Sequence, residues 1–236
     1  MVQPNEVKTP EEKPVPIRCR FYKVGMLQYI SHLDLVRTMT RSIVRAGIPV
    51  WYTQGFNPRL KLTFSLPLSI GTQSRCEFFD IRLTAPMETE EIKARLNAAL
   101  TDEMQVIEVY QSDLKFSEIR WARYEIRMVS PKLTEQTADS LRELYTHPLV
   151  VTKRSKTGDK EVDIAPFLKL ESIAYADGTV TIRALLSADS ADYLNPEYLI
   201  KAADAKLGVR FDDPFTEYYT IMREEAYLED GKTVFR

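Results

Sequence analysis

Residues 28–80 read QYISHLDLVRTMTRSIVRAGIPVWYTQGFNPRLKLTFSLPLSIGTQSRCEFFD. Ser31 supplies an N-cap hydroxyl, and Gly47 followed by Pro49 stops the pattern, which predicts a helix over 31–46. At helical spacing Val36, Met39, Ile43 and Ala46 share one side. Arg37, Arg41 and Arg45 lie opposite, with Asp34 placed to pair with Arg37 at i,i+3. His32 falls near the apolar meridian in the first turn and is expected to point towards the strand ends. The helix feeds the loop IPVWYTQGFNPRL, in which Gly55 permits a positive φ and Asn57-Pro58 is a turn dipeptide. Trp51, Tyr52 and Phe56 stand there among Gln54, Asn57 and Arg59. The loop reads either as a recognition surface or as a bend anchored on the core by its aromatics.

Alternation continues on both sides of this stretch. Upstream, Ile17, Cys19 and Phe21 alternate with Arg18, Arg20 and Tyr22, a strand with one packed and one basic–aromatic face. Downstream, strands are expected over 61–68 and 77–83, then a helix over 88–100 and a strand over 105–110. The order is β-α-β-β-α-β, the split-βαβ or ferredoxin-like arrangement. The pattern recurs loosely. Strands are expected at 121–129, 149–153, 179–186 and 217–228, and helices at 134–145 and from Asn195-Pro196 to Leu207. The segment KRSKTGDKEVDIAPFLKLES is read as an insertion between the middle strands. The fold class is therefore α+β, a tandem of ferredoxin-like units with antiparallel sheets. Residues 1–16 form a proline-rich tail, 17–118 a first unit and 119–236 a second, degenerate one.

The net charge of −2 conceals an uneven distribution. Residues 17–75 carry nine Lys or Arg and a single acid, Asp34, whereas 161–236 carry eight bases against fifteen acids. Such a basic segment either grips a polyanion or pairs with the acidic segments in the fold. The candidate anion-binding residues are Arg18, Arg20, Tyr22, Arg37, Arg41, Arg59 and Lys61, with a second basic spot at Lys153, Arg154 and Lys156. Asp80, two residues before Arg82 on the neighbouring strand, is the group that would neutralise Arg18 or Arg20 in a cross-strand ion pair. The recognition loop comprises Gln54, Gly55, Phe56, Asn57 and Pro58, with His32 as its brace.

Cys19 and Cys76 are too few for a disulfide framework, a cysteine zinc site or an iron–sulfur cluster. His32, His147, Asp80 and Asp163 have no metal-ligand spacing, and no phosphate-cradling or serine-nucleophile motif occurs. No apolar run is long enough to span a bilayer and no signal-peptide pattern opens the chain, so a cytoplasmic location is expected.

The SHLD helix start, the QGFNP loop and the LPLxIG segment (Leu66–Gly71) together resemble the radical-SAM-linked protein family, a bacterial domain of uncharacterised function. The resemblance covers nearly the whole chain after the tail. It implies an accessory role beside a radical S-adenosylmethionine enzyme, encoded nearby or fused, that acts on RNA of the tRNA or rRNA type. S-adenosylmethionine, the iron–sulfur cluster and cobalamin are then expected in that partner, with no cofactor in this chain. The first half also looks like the CRISPR repeat-processing endoribonucleases, tandem ferredoxin-like proteins that use a histidine near the first helix. This gives an alternative, a metal-independent endoribonuclease with His32 as general base. The chain departs from those nucleases in lacking their glycine-rich C-terminal loop: only Gly208 and Gly231 lie near its end.

Overall fold

The structure, a computed structural model, describes residues 16–54, 56–155 and 158–236. Ten strands and four helices follow in order: β1 Pro16–Lys23, α1 His32–Arg45, β2 Leu62–Phe64, β3 Thr72–Arg82, α2 Thr89–Ala99, β4 Met104–Gln111, β5 Trp121–Val129, α3 Glu135–Thr146, β6 Val150–Ser155, β7 Gly158–Asp163, β8 Leu168–Ala176, β9 Thr179–Ser187, α4 Glu197–Leu207 and β10 Tyr218–Tyr227. The fold is α+β, with split-βαβ units in tandem, as the alternation predicts. The two units share one eight-stranded, mostly antiparallel sheet in the order β4-β1-β3-β10-β5-β9-β8. Among the described residues no helix is long and apolar enough to cross a membrane.

The join between the halves lies on β3. Its outer edge is divided: Phe79–Ile81 pair with the short β2, and Thr72–Ser74 pair in parallel with Ile221–Arg223 of β10. This corrects the strand expected over 61–68, which shrinks to Leu62–Phe64 because β10 takes the rest of that edge. Consecutive residues of β3 enter different cores. Phe79 and Ile81 join Cys19, Phe21, Leu35, Met39, Ile43, Ile92 and Leu96 beneath α1 and α2. Cys76 and Phe78 join the apolar residues of β5, β9, β10, α3 and α4. Since neighbours along a strand point to opposite faces, the helices of the two halves cover opposite faces of the common sheet.

A second correction concerns the insertion. Val150–Asp163 forms a separate hairpin, β6–β7, and the strand beside β9 is Leu168–Ala176, from a stretch read as insert. The pairing slips between Leu170 and Ser172, so Glu171 interrupts the period-two signal that would have exposed this strand. Asp177-Gly178, both at positive φ, turns β8 into β9 as a two-residue hairpin loop requires. In α1, Ser31 Oγ accepts from Asp34 N as the cap predicts. The buried stripe is Leu35, Met39, Ser42 and Ile43, one position away from the Val36-centred stripe read from the sequence.

Where β3 meets β10, Arg223 is only 1% exposed and every side of its guanidinium is occupied. Nη1 donates to Glu77 at 2.9 Å, Nε to the Tyr124 hydroxyl at 3.0 Å and Nη2 to the Pro67 carbonyl at 2.9 Å. Lys23 is buried beside this cluster and donates to the Leu27 carbonyl. Burial lowers its pKa, and the charge of Glu77 opposes that shift. Removing one member of such a pair strands the other charge in the interior. Glu77→Leu or Arg223→Met alone is expected to cost about 3–5 kcal/mol in urea denaturation, and the double substitution to recover much of it.

At the start of β10 the Glu217 carboxylate accepts from Lys132 Nζ and from the Asp212 and Asp213 amides. The Lys132 bond, then these amides, hold its pKa near about 2 against an ordinary 4.5. A depressed carboxyl pKa stabilises the fold fully above the ordinary value, and the contribution disappears as pH falls through the folded value. The urea midpoints of the native chain and of Glu217→Gln should therefore differ most above pH 4.5 and converge as pH falls towards about 2.

Candidate nucleic-acid interface

The basic stretch divides into a buried and an exposed set. Arg18 and Arg20 project from β1 on the face away from α1, as alternation requires, but that face is covered. Arg18 is 2% exposed. It donates to both Asp80 oxygens at 2.9 and 3.0 Å, to Ser112 Oγ and to the Leu114 carbonyl, and it lies over the rings of Phe116 and Phe235. Arg20 pairs with Glu225 at 2.9 Å and lies against Phe78. Tyr22 is half-buried, its hydroxyl donating to the Asp102 carbonyl. The expectation that Arg18 and Arg20 present an open basic–aromatic face is thus corrected: they hold the C-terminal segment onto the sheet.

The exposed set begins on α1. Arg37 is exposed and bonds Asp34 at 3.3 Å, whose carboxyl pKa is lowered by the Ser31 hydroxyl and then by Arg37. Arg41 and Arg45 are exposed and have no ion-pair partner among the described residues; the same holds for Arg59 and Lys61. Arg45, at the helix C-terminus, also interacts favourably with the helix dipole. Sequence reading left Arg45 off the site, although its i,i+4 spacing from Arg41 was the available signal.

A short stretch of chain links the helix cations to those of the loop. After Arg45 the backbone passes Pro49, whose carbonyl accepts from Thr84 N, and Val50 bridges to Leu83 at the end of β3. Trp51 N donates to Arg82 O at 2.8 Å, and Lys61 N returns to Trp51 O at 3.0 Å. Higher up, Tyr52 bridges Leu60, Thr53 N donates to Arg59 O, and Arg59 N donates to Thr53 Oγ1. The loop is therefore a hydrogen-bonded stem, rooted by buried Val50 and partly buried Leu60, with its tip in solvent. Gln54, Phe56, Asn57 and Pro58 are all exposed there, and Gly55 lies outside the described residues. Of the three aromatics that the other reading would anchor on the core, Trp51 is half-buried, whereas Tyr52 is exposed and Phe56 fully so at 107%.

His32 opens α1 and is exposed rather than turned inward. Its ring meets Phe64 edge-on at 5.6 Å and has no hydrogen-bond partner among the described residues. It therefore braces β2 and not the loop tip. The other polar residues weighed as ligands have local tasks: His147 Nδ1 lies 2.7 Å from the Glu143 carbonyl, Asp163 accepts from Leu149 N and Ala165 N, and Asp80 holds Arg18. Among the described residues no three His, Cys, Asp or Glu side chains converge on a metal position. Of the second basic spot, Lys153 lies near the rings of Phe167 and Tyr198, and Lys156 falls outside the described residues. Between the β6–β7 hairpin and α4 runs a cleft of about 1000 Å³, lined by Val151, Glu161, Tyr198, Lys201 and Lys206 among others.

Because Arg18 is a structural group, Arg18→Ala is expected to lower stability by about 3–5 kcal/mol in urea unfolding. Under conditions where the variant stays folded, its affinity for polyanions should match that of the native chain.

Comparison with known proteins adds a family and little else. No curated protein matches the chain. Among solved structures, it is similar to a crystal structure of an unknown protein from Galdieria sulphuraria, at 10% identity over 89% of this chain and 96% of that one. The TM-score is 0.24, at which the likeness carries no argument. A family model described as "Uncharacterized protein conserved in bacteria (DUF2344)" matches residues 16–196, the span holding β1 to β9 and both the buried and the exposed basic residues described above, and the chain belongs to that bacterial family.

Proposed function

We propose that this chain is an RNA-binding accessory subunit that presents a tRNA- or rRNA-type substrate to a radical S-adenosylmethionine enzyme. One observation carries the binding half of this reading. Arg41, Arg45, Arg59 and Lys61 are exposed and lack acidic partners among the described residues, on the C-terminal half of α1 and on the loop stem that follows it. Unpaired surface cations cost little to the fold, and each phosphate they neutralise releases a counterion. Arg37, tied to Asp34 and about 12 Å back along the helix, contributes less.

The partnership rests on the resemblance of the SHLD, QGFNP and LPLxIG segments to the radical-SAM-linked family. The chain's own thiols do not suit a cluster, since Cys19 and Cys76 are buried in separate cores and burial pushes both thiols up. On this reading the cluster, S-adenosylmethionine and cobalamin belong to the partner. The endoribonuclease alternative has His32 alone, and no acid or hydroxyl assists it among the described residues.

In fluorescence anisotropy with a labelled tRNA transcript, Arg41→Ala combined with Arg45→Ala should weaken binding and reduce the slope of log affinity against log salt by roughly 2. An unchanged slope would remove this surface from consideration. The same transcript incubated with the chain in EDTA should stay intact; cleavage lost in His32→Ala would favour the nuclease.

A further inference from the structure

The tip of the 50–61 hairpin combines features that phosphate binding does not require. A phenylalanine ring left wholly in water forgoes the burial that a neighbouring core could have supplied. The ring of Phe56 is nevertheless fully exposed, while Val50 and Leu60 of the same hairpin are packed into the core beneath α1. The stem below it is fixed by the Trp51–Arg82, Lys61–Trp51 and Thr53–Arg59 backbone bonds, and Pro58 stiffens the return. Phe56 is thus held out on a rigid support. Exposed amides stand on both sides of it, Gln54 and Asn57, and exposed Tyr52 lies below. Arg59 and Lys61, without an ion-pair partner among the described residues, follow within five residues.

Resting on the polyanion reading above, we infer that Phe56 is a stacking platform for one unpaired base, and that the ligand is single-stranded or loop RNA rather than duplex. An aromatic ring stacks on any base that has left its helix, and neighbouring amides can hydrogen-bond the exposed base edge. Within a duplex the bases are already stacked, and the A-form major groove is too deep and narrow for such a tip. The cations at the stem would hold the phosphates on either side of the stacked nucleotide. Charge and stacking make opposite demands here: duplex, with its higher charge density, is the better ligand for a purely electrostatic surface.

That opposition supplies the test. A fluorescein-labelled RNA of about ten nucleotides, without self-complementarity, is titrated by anisotropy alone and after annealing to its complement, at about 0.15 M salt. The single strand is expected to bind more tightly. Phe56→Ala should weaken single-strand binding by about 5- to 100-fold with an unchanged salt slope, and Phe56→Trp should preserve it. Duplex binding should be indifferent to both changes. Since the tip is exposed, these variants are expected to melt with the native chain, which circular dichroism checks. Equal affinity of Phe56→Ala for the single strand, or duplex bound at least as tightly, would overturn the stacking role. If Arg41→Ala with Arg45→Ala still weakened both ligands, the polyanion reading would survive that result. Binding of neither RNA would remove both.

Discussion

The buried guanidinium of Arg223 is the constraint on which the architecture turns. A charge in the interior is tolerable only when it is paired and hydrogen-bonded, and here each guanidinium nitrogen has an acceptor, from three places: Glu77 on β3, Tyr124 on β5 and the Pro67 carbonyl after β2. Meeting all three fixes β10 in one parallel register against β3. A slip of one residue would turn Arg223 to the other face and leave Glu77 uncompensated. The same bonds account for the LPLxIG segment. It ends β2 early, offers a carbonyl to Arg223, and turns at Gly71, whose positive φ of 85° suits glycine.

The segment that carries the family-like motifs therefore divides its residues between two tasks. SHLD starts a helix and LPLxIG closes the seam, which are both structural duties, whereas the described residues of QGFNP are all exposed. The basic excess of residues 17–75 is split in the same way. Arg18 and Arg20 are neutralised by Asp80 and by Glu225 far downstream, so one part of the charge pattern is internal pairing. The arginines of the helix end and loop stem meet no such acid among the described residues. Internal pairing thus accounts for one part of the uneven charge, and the other part stays exposed on a different face of the same strand–helix unit.

What could be read from the sequence followed locality. Helix α1 was legible because its cap, its apolar stripe and its terminating glycine all lie within 17 residues of one another. The first split-βαβ unit was legible from alternation alone. The seam was not, because Arg223 and Glu77 stand 146 positions apart and a parallel pairing between them leaves no periodic trace. The burial of Arg18 and Arg20 was hidden by the same non-locality, since Ser112, Leu114, Phe116 and Phe235 surround Arg18 and Arg20 meets Glu225. One clue was present: Phe78 shares that face, and a large aromatic in mid-strand argues against bulk water. Strand β8 was missed for a different reason, the slip at Glu171, which broke a local signal that otherwise existed. For the site, residue types were legible, but which arginines stay unpaired was a matter of tertiary contacts.

The division of β3's edge has a consequence for how the chain is made. Its N-terminal half emerges from the ribosome with one edge of Thr72–Ser74 open and Glu77 lacking its counter-ion, and Arg223, on the strand that supplies both, comes 146 residues after Glu77. At bacterial-scale elongation of about 5–20 residues per second, that interval is roughly 7–30 s. For that time a nascent half-sheet presents an open, partly apolar margin. Chaperone engagement during translation, and sensitivity to pauses late in the message, are the natural correlates of a fold whose first unit is completed by its last strand.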